Sequence, residues 1–151
     1  METLFLDSPL IKADDEMALE SDLAIRHAAE RYLETLRKVD ELKGEAEERL
    51  FSGSPGSIYL KRLGHRSLTV EEKEGIIEAK GTEEDKQSII SFREAQINLN
   101  NRLKPLSQFI SLVHDQAGLP RGTYYRRLKR PGLWTADEII RVLDVLARIQ
   151  I

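Results

Sequence analysis

Residues Val113 to Leu128 read VHDQAGLPRGTYYRRL, and Lys129-Arg130-Pro131-Gly132 follow. Ahead of the break at Ala117-Gly118, the run LSQFISLVHDQ carries Phe109, Ile110, Leu112 and Val113 and reads as a helix from Leu106. Gly118 stands where a chain leaving a helix needs a positive φ, which costs glycine little. Leu119, one place on, is positioned to drop into a core between helices. Pro120 suits the first turn of the next helix, where its missing N–H does no harm. Tyr124 and Leu128 are four apart and share one face. If that face turns inward, Arg121, Gly122, Thr123, Tyr125, Arg126 and Arg127 remain for the outside.

The charge of this stretch runs against that of the chain. Gly118 to Gly132 holds five basic residues, Arg121, Arg126, Arg127, Lys129 and Arg130, and no acidic one. The 151-residue chain has a formal net charge of −3. Residues 1–100 carry 14 Lys and Arg against 22 Asp and Glu, whereas residues 101–151 carry 9 against 4. Such a split implies an acidic body and a basic tip that meets something anionic.

The words Ala117-Gly118-Leu119, Gly122-Thr123, Tyr125 and Leu128 resemble the helix-turn-helix core shared by Cro/C1-type repressors and TetR-type regulators. The resemblance is close over 106–128 and looser to Leu146. It implies that the N-terminal part of the second helix enters the major groove of double-stranded DNA. Arg121, Gly122 and Arg126 then take the places that meet base edges, and arginine suits guanine O6 and N7. Gly122, without a side chain, lets the helix approach closely. Thr123 and Tyr125 match positions that contact phosphate in TetR-type proteins. Arg127, Lys129 and Arg130 are expected on phosphate oxygens, where they add affinity without sequence choice. Three features depart from the family. His114 replaces a small residue between the helices and implies altered packing. Pro120 replaces a Ser or Thr cap, and the helix from Leu106 is longer than the usual first helix.

Elsewhere the pattern is helical throughout. Residues 1–17 mix short apolar words with a proline and Asp14-Asp15-Glu16, and read as an irregular arm. Ile25, Ala29, Tyr32, Leu36, Val39, Ala46 and Leu50 follow steps of four and three, with Lys43 in the one missing place. That predicts one long helix over 18–50, either a coiled-coil dimerisation stalk or a helix packed on its own domain. FSGSPGS, residues 51–57, predicts a flexible hinge. A small helical region over 58–96 follows, with a short helix ending at Gly64. Thr69-Val70-Glu71-Glu72 has the spacing of a capping box, and Gly81-Thr82 ends one helix and starts the next. Ile89, Phe92, Gln96, Leu99 and Leu103 line one face of that next helix. Thr135 to Glu138 is another capping box, ahead of the amphipathic run IIRVLDVLARI. Residues 97–151 form the expected DNA-binding domain.

Several classes of function are unpromising. There is no cysteine, which excludes disulfides and thiolate metal sites and fits a reducing cytoplasm. No apolar run approaches the ~18–20 residues of a membrane span, and the N-terminus lacks a secretory pattern. His27, His65 and His114 lack metal-ligand spacing with carboxylates. No GxSxG, P-loop or GxGxxG is present. We therefore expect neither catalysis, nor a cofactor, nor a metal. The expectation is an all-α protein with a long N-terminal helix or coiled coil and a C-terminal helix-turn-helix domain. Its expected role is a sequence-specific DNA-binding regulator of transcription acting as a homo-oligomer, a dimer foremost. The alternative is a phage-type structural, packaging or architectural protein that uses the same motif.

Overall fold

The structure is a computed structural model that describes residues 9–149, with side chains from residue 20 on. Among the described residues there are only helices and connecting turns. The eight α-helices among these residues are α1 (Pro9–Arg37), α2 (Val39–Leu42), α3 (Pro55–Leu63), α4 (Val70–Lys80), α5 (Glu83–Leu103), α6 (Ile110–Gln116), α7 (Arg121–Lys129) and α8 (Ala136–Ile149). Short 3-10 turns occupy Lys43–Glu45, Glu48–Leu50, Lys104–Phe109 and Pro131–Leu133. The chain divides into two compact units, 30–92 and a second built from residues up to 29 together with 93–151. The boundary between 96 and 97 expected from the sequence falls inside α5. The actual division also falls within α5, which has no glycine or proline to mark it.

In the 30–92 unit, the second half of α1 buries Tyr32, Thr35 and, just beyond its end, Val39. Tyr32 stacks on Phe92 with ring centroids 3.8 Å apart and donates its hydroxyl to Glu74. Ser88 donates to the Thr35 hydroxyl at 2.8 Å, and Lys38 reaches Asp85 at 2.7 Å. At Tyr32 and Thr35 the heptad face packs on the chain's own α5, as the second of the two readings of that pattern expects. The helix is also shorter and begins earlier than expected. Pro9 takes its first position, where a proline is tolerated, so the stretch 1–17 is helical from residue 9; its first eight residues lie outside the described part. The α-helix stops at Arg37, and past Leu42 the chain tightens into a 3-10 turn at Gly44, a poor helix former. Ala46 is extended and buried, taken into the core in place of continuing the helix.

The stretch FSGSPGS is anchored, contrary to the expected hinge. Phe51 is buried with the Arg62 guanidinium over its ring at 4.8 Å. The Ser52 N–H donates to Glu72 Oε2 at 2.8 Å, and Lys61 Nζ reaches Ser52 O at 2.9 Å. Ser54 caps α3 by accepting from the Ser57 N–H, so the helix starts at Pro55, within the supposed hinge. Glycine and serine here supply a capped turn over a buried ion pair, Lys61 with Glu72 at 2.8 Å. The capping box of α4 is formed, with Thr69 and Glu72 bonded both ways at 2.9 and 3.1 Å. Thr82 and Asp85 cap α5 in the same reciprocal manner at 3.0 and 3.2 Å. Gly64 ends α3 at φ +84°.

In the other unit, Leu99 and Leu103 of α5 are buried, as are Val142, Leu143, Val145 and Leu146 along α8. The residues of α1 in this unit bury Ile25 and Ala29. Arg102 pairs with Asp22 at 2.9 Å, and Arg26 pairs with Asp144. Pro105 prevents a regular continuation of α5. Residues Lys104–Phe109 coil as 3-10, with Leu106 off the helical region at φ −101°, ψ 22°. Helix α6 therefore begins at Ile110, four residues later than the sequence pattern predicts, and has only 7 residues.

Candidate nucleic-acid interface

The turn between α6 and α7 is built as its sequence dictates. Gly118 adopts φ +70°. Its N–H bonds to Asp115 O at 3.1 Å, and the Leu119 N–H bonds to His114 O at 2.9 Å. These two bonds are those of a Schellman motif, which satisfies carbonyls at the end of a helix. Arg141 of α8 adds a third by donating to Ala117 O at 3.2 Å. Leu119 is 5% exposed and seats the turn in the core. Pro120 is the cap residue just before α7 and not its first residue, and it accepts from the Tyr124 N–H at 3.0 Å.

Helix α7 is held from its C-terminal side by two amides of α5. Asn100 Nδ2 donates to Leu128 O at 2.9 Å and to Arg127 O at 3.3 Å. Asn100 Oδ1 accepts from the Trp134 indole at 2.7 Å. Gln96, one turn earlier, donates to Trp134 O at 2.7 Å and to Gly132 O at 3.3 Å. The last carbonyls of α7 and the loop to α8 are thus satisfied by buried side chains, as buried backbone requires. Tyr124 completes the attachment. It is 1% exposed, lies edge-on to Trp134 with centroids 5.9 Å apart, and burial pushes its phenol up to about 12.

This attachment fixes what α7 shows to the outside. Arg121, Gly122, Tyr125, Arg126 and Lys129 fall at helical spacings of one and four and are all exposed, as is Arg130 at the helix end. The Arg121 guanidinium lies 5.4 Å from the Tyr125 ring centroid, and Arg126 Nη2 lies 3.4 Å from the Thr123 hydroxyl it bonds. Among the described residues, no acidic side chain pairs with Arg121, Arg126, Lys129 or Arg130. Thr123 is half-buried, with its hydroxyl turned to Arg126. Leu128 is half-buried also, less enclosed than Tyr124.

Arg127 departs from the expected set. Its guanidinium makes a bidentate pair with Glu138, at 2.9 Å from Nε and 3.2 Å from Nη2, and the side chain is 17% exposed. Burial pushes the Glu138 carboxyl up. The Arg127 guanidinium and the Thr135 N–H outweigh that and hold it below the ordinary carboxylate range. The same carboxylate closes the capping box of α8, accepting from Thr135 N at 3.0 Å while the Thr135 hydroxyl accepts from Glu138 N at 3.2 Å. Arg127 therefore ties α7 to the start of α8, with its charge paired by a carboxylate. The box itself was readable from Thr135 and Glu138; the arginine that completes it was not, because nothing local marks the partner.

His114 is 7% exposed, its ring 5.9 Å from that of Tyr124. Its Nδ1 lies 3.2 Å from Asp115 Oδ1, yet out of line for a hydrogen bond. The other histidines, His27 and His65, are exposed. Among the described residues, no group of three His, Asp and Glu side chains could hold a metal ion. No helix among them is long and apolar enough to cross a membrane. Comparison with family models, curated proteins and solved structures finds no match to this chain.

Proposed function

We propose that the protein binds double-stranded DNA, with α6 and α7 as a helix-turn-helix and α7 as the helix that enters the major groove. The observation that carries this reading is the outer face of α7. Arg121, Arg126, Lys129 and Arg130 are exposed and without acidic partners among the described residues, on a chain that is acidic elsewhere. A cationic helix face of this kind supplies both phosphate contacts and, through arginine, base recognition. Arg121 and Arg126 are the base-reading candidates, with Gly122 between them allowing close approach. Tyr125 and Thr123 border the phosphates, joined by Lys129 and Arg130. Occupation of a specific site would make the protein a regulator of transcription. One helix reads few bases, so two copies on two half-sites about one helical turn apart are expected.

The test is selection of bound sites from random duplex DNA, with the assembly size measured by sedimentation. A single enriched motif with two-fold symmetry, bound by a dimer, is the expected result. Enrichment without a motif, on a ring of many subunits, would replace the regulator by a packaging protein. No retention of any duplex at low salt would end the DNA-binding reading.

A further inference from the structure

Within the 30–92 unit, a cavity of about 400 Å³ opens between the end of α1, helix α2, the turn from Gly64 to Leu68, and the first turns of α4. Four basic side chains line it, Arg37, Lys43, Arg66 and Lys73, with one carboxylate, Asp40. The unit as a whole is acidic, with 11 Lys and Arg against 14 Asp and Glu over residues 30–92, so this convergence runs against its average. Asp40 reaches Lys43 at 3.0 Å but is itself 79% exposed, and it balances one cation of the four. Arg66 donates to a neutral hydroxyl, Ser57, at 3.0 Å. Arg37 and Lys73 have no ion pair among the described residues. The dipole of α1 favours a cation in its last turn, which accounts for Arg37 alone and not for the other three.

Apart from Gly64 and Ser67, the remaining lining is hydrocarbon. Leu33, Leu36 and Leu68 are half-buried and face the same space. Lys43 is drawn in to 14% exposure, and its ammonium lies over the Gly64 turn, where an added Cβ would stand 3.5 Å from Nζ. The volume lies in the range of small-molecule sites, which combine apolar walls with a few convergent polar groups. A phosphate of a nucleic acid has no use for three leucines, and a bare inorganic anion has none either. We infer that this cavity binds a small organic anion, a carboxylate on a hydrocarbon body, with Arg37 and Lys73 holding the charged end and the leucines the chain. The inference is independent of DNA binding, since none of its residues lies on α7.

The experiment is calorimetric titration of the full chain with octanoate, acetate and octanol. Octanoate should bind at one saturable site, and acetate and octanol should each bind about tenfold more weakly or worse. Added salt should weaken octanoate, because the charged end is held near the surface. The Arg37→Gln/Lys73→Gln double variant, with its helical circular dichroism intact, should lose about tenfold or more. Arg126→Gln should bind octanoate as the parent does. Lack of saturable octanoate binding, equal binding of octanol, or an undiminished affinity in the double variant would each overturn the site. A DNA-binding failure with octanoate binding intact would leave it standing.

Discussion

The indole N–H of Trp134 donates to Asn100 Oδ1 at 2.7 Å, with the two residues 1% and 7% exposed. The other end of the same amide serves the last carbonyls of α7. One side chain of α5 thus fixes both the end of the basic helix and the loop that follows it. If α7 reads DNA, its aim depends on this amide. A helix of 9 residues does not hold its own shape in water.

Asn100→Ala strands the Trp134 N–H and the Leu128 carbonyl. Each unpaired buried group costs about 1–3 kcal/mol, so the variant should lose roughly 2–4 kcal/mol of stability. Trp134 is the single tryptophan of the chain, so urea unfolding followed by its fluorescence reports on this site directly. A loss below about 0.5 kcal/mol would mean that water replaces the amide without cost.

Arg126, Arg127 and Arg130 carry the same charge, and their alanine variants should part company. Arg127→Ala leaves Glu138 enclosed without its partner and should cost about 2–4 kcal/mol of stability. Arg126→Ala and Arg130→Ala, on the exposed face, should stay within about 0.5 kcal/mol of the parent. On DNA, Arg126→Ala should lose roughly 1–3 kcal/mol on the selected site and relax the base choice there. Arg130→Ala should weaken selected and scrambled duplexes about equally and lower the salt slope by about one unit per subunit. Unfolding curves and binding isotherms over a range of salt give both sets of numbers. Equal losses for Arg126→Ala on both duplexes would make that arginine a phosphate contact.

Local chemistry was legible in the sequence, and partners distant along the chain were not. Gly118, Thr69 with Glu72, Thr135 with Glu138, and the buried face of α5 all follow rules that act over a few residues. The same face included Gln96, a polar residue in an apolar register, and that was the one signal of the amide clamp. Asn100 gave none, since its carbonyl partners at Arg127 and Leu128 are set by tertiary packing. FSGSPGS misled for the same reason: composition reports a break in helix, whereas rigidity came from Glu72 and Lys61, which the local pattern cannot reach. The heptads of α1 specified a buried face without saying whose residues bury it.

Glu72 should make stability fall in acid. Burial raises its carboxyl, but the Lys61 ammonium and the Thr69 and Ser52 N–H groups bring it down from 4.5 to about 2. A carboxyl depressed in the folded state stabilises fully above its unfolded value and loses that contribution as pH falls through the folded one. Glu72→Gln should therefore be less stable than the parent at pH ~7, with the gap closing between about pH 4.5 and 2. Asp85, lowered chiefly by its hydrogen bond from Lys38, and Glu138 act in the same sense in both proteins and cancel in the comparison. Urea midpoints of the pair across this range measure the gap. A gap independent of pH would mean that the ionised form of Glu72 has no special role.

Gly122 separates what the fold needs from what a ligand needs. It is exposed, and a Cβ built on it meets nothing within 4 Å. Its backbone is helical, so no positive φ demands glycine. Glycine within a helix is worse than alanine by about 0.5–1 kcal/mol. Gly122→Ala should then stabilise the protein by a few tenths to about 1 kcal/mol. The fold gains nothing from this glycine, whereas a helix pressed against base edges gains close approach. Gly122→Leu should fold as well as the parent yet bind the selected duplex about tenfold or more weakly, with Gly122→Ala between them. Thermal melts and affinities on one set of variants measure both quantities. If Gly122→Leu keeps full affinity, the first turn of α7 does not face the groove, and the assignment of Arg121 and Arg126 as base readers falls with it.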